Sequence, residues 1–345
     1  MADPVTTVRR TKESKLVARI SAAVPSAGVR AARTGLRLGI GDDAALLAPR
    51  PGFEVVVSSD FFIEDAHFIA RLHPPESVGY KSLVRAVSDL SAMGAEPGYF
   101  LLNLALPSGK TGAWFDGYVK GLGNAARKSR ILLIGGDLAS REKVSIAITV
   151  IGYAKAGRAM RRSGARPGDL IYVSGRLGAA RLGLEILLKR RGRMAGARRL
   201  LAPHLYPPLR LELGEWIARE RIASAMMDIS DGLSIDLGRL CESSRVGAEI
   251  DAGRIPRVGI SRVWQERLHL APGAALEFAL RGGDDYELLM TVPPHRAHKL
   301  RQAPGGIPLT CIGRIARDRR MVSVDASGRT QPLQVKGWDH FSRHP

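Results

Sequence analysis

Six aspartates carry most of the chemical information in this sequence. Asp43, Asp60, Asp89, Asp137, Asp228 and Asp231 fall at the ends of predicted strands, in helices or in turns, each beside an apolar run. Four of these segments have Gly or Ser neighbours: GIGDD, VSSD, IGGD and DISDG. Several buried carboxylates meeting at one place need cations to neutralise them, because an unpaired buried charge is costly. Hard oxygen donors with small neighbours suit Mg²⁺ better than zinc or iron, and Mg²⁺ is usually held by a few carboxylates plus substrate phosphates. Taken singly, each Asp reads better as a helix cap or a turn residue. For six together that reading weakens.

Other routes to chemistry find little support. There is no GxxxxGK[ST], no HExxH and no GxSxG. Gly121–Ala126 (GLGNAA) matches GxGxxA but lies inside a helical pattern, not between a strand and a helix, so it fails the dinucleotide-fold context. Gly39–Ala44 (GIGDDA) matches too, yet places acidic residues where a pyrophosphate would sit. His67 and Trp338, taken alone, read as ordinary packed or solvated residues.

The elements that must position these aspartates follow from periodicity and turn chemistry. Phe53–Ser59 is a β-rich run ending on Asp60. Ser77–Met93 is a helix with Leu83, Val84, Val87 and Leu90 on one face. Gly98–Leu106 is a strand, 111–127 a helix, and 130–134 a short strand running into Gly135-Gly136-Asp137. Lys143–Tyr153 alternates as a half-buried strand. Arg166-Pro167-Gly168-Asp169 signals a turn. Beyond it we expect strands at 170–173, 225–229, 248–251, 286–292, 309–315 and 321–324, with helices at 178–189, 207–221 and from 232 to about 244. Strands and helices mix without strict βαβ alternation, which predicts two α+β domains, residues 1–155 and 156–345, meeting in the region 154–168.

Composition narrows the class. A chain of 345 residues suffices for two domains with real cores. Its 52 Lys and Arg against 33 Asp and Glu give a formal charge of +19, and Lys189–Arg199 holds six basic residues and no acidic one. That balance raises nucleic acid as a partner. The aromatic residues, 6% of the chain, do not interleave with the basic ones, and no nucleic-acid motif appears, so this reading is disfavoured and the basic run reads as a solvated helix end and loop. No apolar stretch reaches membrane-spanning length, no secretory h-region follows the N-terminal charges, and Cys241 and Cys311 form no CxxC spacing. The expectation is a cytoplasmic protein with no membrane partner.

Read in order, GIGDDAALL (39–47), VSSDFFIEDAHF (57–68), VGYKSLVRAVSDLSAMGAEP (78–97), LIGGDLAS (133–140), RSGARPGDLIYVSGRLG (162–178), MDISDGLSIDL (227–237), GGDDYELLMTV (282–292) and KGWDHF (336–341) resemble the thiamine-monophosphate kinase family. That family lies within the superfamily that includes aminoimidazole ribonucleotide synthetase and selenophosphate synthetase. The resemblance implies a PurM-like pair of α+β domains, with an N-terminal domain that dimerises through its sheet. It implies ATP-dependent phosphorylation of thiamine monophosphate to thiamine diphosphate, with Mg²⁺ and room for a monovalent cation such as K⁺. By position it implies a metal set of Asp43, Ser58, Ser59, Asp60, Asp89, Asp137, Asp228 and Asp231, with Asp43, Asp89 and Asp231 catalytic. Gly136, Asp137, Arg162 and Ser230 correspond to ATP contacts, and His67, Asp284 and Trp338 to thiamine-phosphate contacts. The chain departs from the family pattern at Ser59, at Leu138-Ala139 after GGD, at Glu64-Asp65, and at Asp284, where the family commonly has the longer Glu. Selenophosphate synthetase would want a reactive Cys or Sec in an N-terminal glycine-rich loop, and the hydrogenase-maturation relative a C-terminal Cys; neither is present.

Overall fold

The computed structural model describes residues 11–26, 35–325 and 327–337, and Trp338 lies outside them. Two compact units result. One comprises the chain up to Pro49 with Ser59–Leu83 and Gly98–Thr149; the other comprises Arg50–Ser58, Val84–Pro97 and the chain from Val150 onward.

The elements of the N-terminal half are α1 (Lys12–Ala23), β1 (Leu36–Leu38), β2 (Leu46–Leu47), β3 (Phe53–Ile63), α2 (Pro75–Ala92), β4 (Glu96–Leu106), α3 (Ala113–Ser129), β5 (Leu132–Ser140) and β6 (Ser145–Lys155). A four-stranded sheet runs in the order β3-β6-β4-β5, with β4 and β5 parallel. Phe115, Tyr118, Val119, Leu122, Ala125 and Ala126 give α3 a buried stripe at helical spacing. The GxGxxA glycines belong to this helix. A Cβ on Gly121 would lie 1.8 Å from the Glu76 carbonyl oxygen of α2, so the glycine lets two helix backbones approach.

Beyond Ile134, where the sequence suggests a strand end, β5 continues through the glycines to Ser140, because β4 offers a parallel edge as far as Leu106. Gly136 pays no side-chain penalty there: its φ is +145°, and a Cβ would sit 1.8 Å from the Leu102 carbonyl oxygen.

The second unit holds β7 (Leu170–Ser174), α4 (Ala179–Leu188), α5 (Ala197–Leu205), α6 (Leu211–Arg219), β8 (Ala225–Ile229), α7 (Leu233–Ser244), β9 (Gly247–Asp251), α8 (Arg262–Arg267), α9 (Ala274–Arg281), β10 (Glu287–Val292), β11 (Leu309–Ala316), β12 (Met321–Val324) and β13 (Thr330–Pro332). Its seven-stranded sheet runs β13-β12-β9-β11-β7-β10-β8, antiparallel except where β12 meets β9. Both faces are covered. Met227 and Ile229 of β8 join a core with Leu233, Leu237 and Leu240 of α7, while Met226 joins a second core with Ile217 of α6 and Leu288 and Met290 of β10. All six residues of β10 are buried, as expected of a strand sandwiched between two layers.

Helices α5, α8 and α9 have no counterpart in the sequence reading. In α5 the basic opening and Pro203 mask a buried stripe of Ala197, Leu201, His204 and Leu205. Lys189–Gly196 is the connector before that helix, and Arg198 and Arg199 stand on its first turn.

Asp285 shows how a loop residue secures a distant helix. Its Oδ2 accepts from the Gly178 N–H at 2.7 Å and its Oδ1 from the Ala180 N–H at 3.3 Å, capping the N-terminus of α4 across more than a hundred residues. Burial pushes its carboxyl from 3.8 up to about 8, against the pull of those two N–H donors. The folded chain therefore holds a proton that the unfolded chain has released between roughly pH 4 and 8. Stability should fall as pH rises through that window, by at most about 1.4 kcal/mol per pH unit from this group. Thermal unfolding of Asp285→Asn across pH 5 to 8 should show a flatter dependence than the parent; an identical slope would refute this account.

Candidate active site

A cavity of about 410 Å³ lies in the second unit, between the Val56–Ser58 stretch of β3, the Asp89–Met93 turn of α2, the loop Arg161–Ser163 and strand β8. The carboxylates on its wall, and the backbone of its arginine loop, are held by specific bonds. The Ser58 hydroxyl donates to Asp89 Oδ2. Asp228, buried on β8, accepts at Oδ2 from Ser88 Oγ at 2.6 Å. The arginine loop is pinned at both sides: the Arg161 carbonyl accepts from the Met226 N–H at 2.9 Å, and Ser244, at the last turn of α7, donates to the Arg162 carbonyl at 2.9 Å. The same Ser244 hydroxyl accepts from the N–H groups of Gly164 and Ala165, both at 3.1 Å. The cavity thus has two carboxylates, the serines Ser58, Ser163 and Ser243, two guanidinium-bearing residues, and an apolar lining that includes Met93, Met226 and Met227.

That donor set fits Mg²⁺, which takes few protein carboxylates and fills its octahedron from water and phosphate. Among the described residues no three His, Cys, Asp or Glu side chains gather as a ready-made metal cage.

A second group forms around the turn Ser230-Asp231-Gly232, between β8 and α7. Its organiser is Asp236, fully buried, whose Oδ2 accepts from the N–H groups of Ser230 (3.1 Å), Asp231 (3.0 Å) and Gly232 (3.2 Å). Three successive amide donors converging on one oxygen make a backbone nest for a carboxylate. Burial, with help from the neighbouring Asp231 charge, pushes the Asp236 carboxyl up to about 6. Arg239 pairs with Asp231 at 2.5 Å and with Asp236 at 2.8 Å. The 282–286 loop closes on the same turn, with the Asp284 N–H donating to the Ser230 carbonyl at 2.7 Å. Asp284 itself has φ +61°, and its Oδ1 accepts from the Tyr286 hydroxyl at 2.8 Å.

The structure therefore brings Ser58, Asp89, Arg162 and Asp228 to one cavity wall and gathers Ser230, Asp231 and Asp284 at one turn. Trp338 lies outside the described residues, and the other expected residues belong to the first unit. Asp43 is exposed between β1 and β2. Ser59 is exposed on β3, its hydroxyl 3.0 Å from that of Thr149, while strand alternation turns Asp60 to the opposite side. Gly136 and Asp137 lie on β5, Asp137 exposed. His67 closes the turn after β3, its Nδ1 accepting from the Ile63 N–H at 3.0 Å, which leaves the ring proton on Nε2. Sequence reasoning missed Ser88, Arg161, Asp236, Arg239 and Ser244. Asp236 carried a signal, as an acidic residue in the first turn of a helix whose preceding turn needs its amides satisfied.

The two halves of the chain match two family models, "AIR synthase related protein, N-terminal domain" over residues 41–154 and "AIR synthase related protein, C-terminal domain" over residues 166–325. The fold is thus the PurM-like two-domain architecture of AIR synthase related proteins. A thiamine-monophosphate kinase of Salmonella typhimurium is 37% identical over 318 residues, covering 91% of this chain and 95% of that protein. The crystal structure of the thiamine-monophosphate kinase from Stenotrophomonas maltophilia superposes with a TM-score of 0.77 at 36% identity, covering 89% of this chain and 95% of that one. A structure of AaThiL complexed with AMPPCP and TMP superposes with a TM-score of 0.75 at 31% identity, covering 88% and 92% of the two chains. This chain belongs to the thiamine-monophosphate kinase family.

Ser244 offers a direct check on the arginine loop. Replacing it with Ala removes one donated and two accepted hydrogen bonds, each worth about 1 kcal/mol. Ser244→Ala should lower unfolding stability by about 1–3 kcal/mol and selectively speed hydrogen exchange at the Gly164 and Ala165 amides. Unchanged exchange at those two amides would show that the loop is held by something else.

Proposed function

We propose that this chain transfers the γ-phosphoryl group of ATP to thiamine monophosphate, giving thiamine diphosphate and ADP in the last step of thiamine diphosphate synthesis. The observation that carries this reading is the cavity in which Asp89 and Asp228 stand with Arg161 and Arg162, in a chain of this family. A phosphate acceptor is already anionic, so the reaction needs no strong general base; it needs two polyanions aligned and their repulsion screened.

Arg161 and Arg162 supply planar forks for phosphate oxygens. Asp89, Asp228 and Ser58 would hold Mg²⁺, which supplies charge neutralisation at the phosphates when bound. The oxygens of Asp43, Ser59, Asp60, Asp137 and Asp231 complete the proposed metal set. Gly136 and Ser230 are proposed as further nucleotide contacts, and His67, Asp284 and Trp338 as the thiamine-phosphate side. Trp338 offers a flat ring to a cationic heterocycle. We place the enzyme in the cytoplasm, where its two free cysteines remain reduced; no helix among the described residues is long and apolar enough to cross a membrane. K⁺ is proposed as an accessory cation, to be read as rate dependence in the assay below.

We also propose a homodimer formed through the sheet of a first domain ending near residue 155, with residues 156–345 as the second domain. Val55, Val57 and Phe61 alternate on one face of the edge strand β3 and are 60–65% exposed, an apolar stripe that a second copy would cover. Phe61→Glu should shift the protein to a monomer in sedimentation; a parent that is itself monomeric refutes the dimer.

The reaction is tested by following thiamine diphosphate formation from thiamine monophosphate, ATP and Mg²⁺. The parent should form product, and Asp89→Asn and Asp231→Asn should each lose about 100-fold or more in turnover while melting near the parent temperature. Full activity in both variants, or no product from the parent with ATP still bound, would overturn the assignment.

A further inference from the structure

Asp231 stands on its turn already paired. A single nitrogen of Arg239, Nη1, donates both to Asp231 Oδ2 at 2.5 Å and to Asp236 Oδ1 at 2.8 Å. The two carboxylates are not equivalent partners. The Asp236 side chain is fully buried and spends its other oxygen on three backbone amides, so it cannot leave without opening the turn. Asp231 is 24% exposed, and its carboxylate makes no bond that the turn requires. The turn is already secured by Asp236 and by the Asp284 amide on the Ser230 carbonyl. The Arg239–Asp231 bond is therefore surplus to the local fold. It occupies one carboxylate oxygen with a fixed positive charge, anchored by Asp236 on the rigid body of α7.

We infer that Arg239 is a positioning residue that acts as a resident counter-ion for Asp231. Without a divalent cation it orients and neutralises the carboxylate; Mg²⁺ binding requires Asp231 Oδ2 to exchange the guanidinium for the metal, while Asp236 keeps Arg239 in place. Arg239 thereby sets the Mg²⁺ concentration at which the site fills. This inference rests on the reading of Asp231 as a metal-linked residue of the kinase site. It assigns Arg239 no contact with substrate.

The exchange predicts a direction that a merely structural role does not. Removing a competing cation should make Mg²⁺ bind more tightly, whereas loosening the turn should make it bind more weakly. Arg239→Gln keeps a donor near Asp236 and removes the charge; Arg239→Met is a second neutral variant should the first fold poorly, and Arg239→Lys keeps the charge. Mg²⁺ binding to the nucleotide-free protein is measured by calorimetry, alongside the Mg²⁺ concentration giving half-maximal turnover. In a neutral variant that melts like the parent, both quantities should fall about two- to fivefold, the range set by a partly exposed ion pair, and Arg239→Lys should remain near the parent. Unchanged or weakened Mg²⁺ binding in that variant overturns the inference. Asp231→Asn separates the two levels: if it is inactive while Arg239→Gln leaves Mg²⁺ binding unaltered, only the counter-ion role fails; if it is fully active, the reading of Asp231 fails and this role with it.

Discussion

A carboxylate that has given up all its water must be repaid by donors, and Asp236 is repaid by the backbone itself. Its three amide bonds turn the chain between β8 and α7 and so fix where Ser230 and Asp231 can stand. The 282–286 loop then closes on the same turn, which places Asp284. At the other end of α7, Ser244 makes the same kind of bargain with the Arg162 carbonyl and two amides. One helix therefore governs an acidic turn at its start and a basic loop at its end.

This arrangement answers the electrostatic problem posed by a phosphate-to-phosphate transfer. Both reacting groups are anions, so carboxylates placed near them are useful only as holders of cations. The carboxylates proposed for that role are already engaged: Asp89 with Ser58, Asp228 with Ser88, Asp231 with Arg239. Each is oriented before any ligand arrives, which reduces the ordering that binding must accomplish.

Much of this was legible in the sequence because it depends on local pattern. The alternation of Val144, Ile146, Ile148 and Val150 gave β6, and Ala225–Ile229 and Met321–Val324 were read at their observed bounds. The Asp169 amide does bond the Arg166 carbonyl at 3.0 Å, as Arg-Pro-Gly-Asp suggests. What was not legible depends on partners distant in sequence. Nothing local tells that β4 will carry β5 through two glycines, or that Asp285 will cap a helix starting at Ala179. Ser88 looked like one more helix serine until Asp228, 140 residues away, was placed beside it. Among candidate site residues, those in ordered motifs were nameable, whereas Arg239 and Ser244 carry no motif and became visible only through what they touch.

The coupling of two loops through α7 also bears on how this chain can change over evolutionary time. A helix of twelve residues spans about 18 Å, and each residue turns it by about 100°. Inserting or deleting one residue there would swing the Arg162 loop around the axis relative to Asp231, and no side-chain substitution restores that angle. Length variation is better absorbed by stretches such as 189–196, where the chain is exposed and joins helices without carrying a site residue. In α7 the quantity under selection is a residue count.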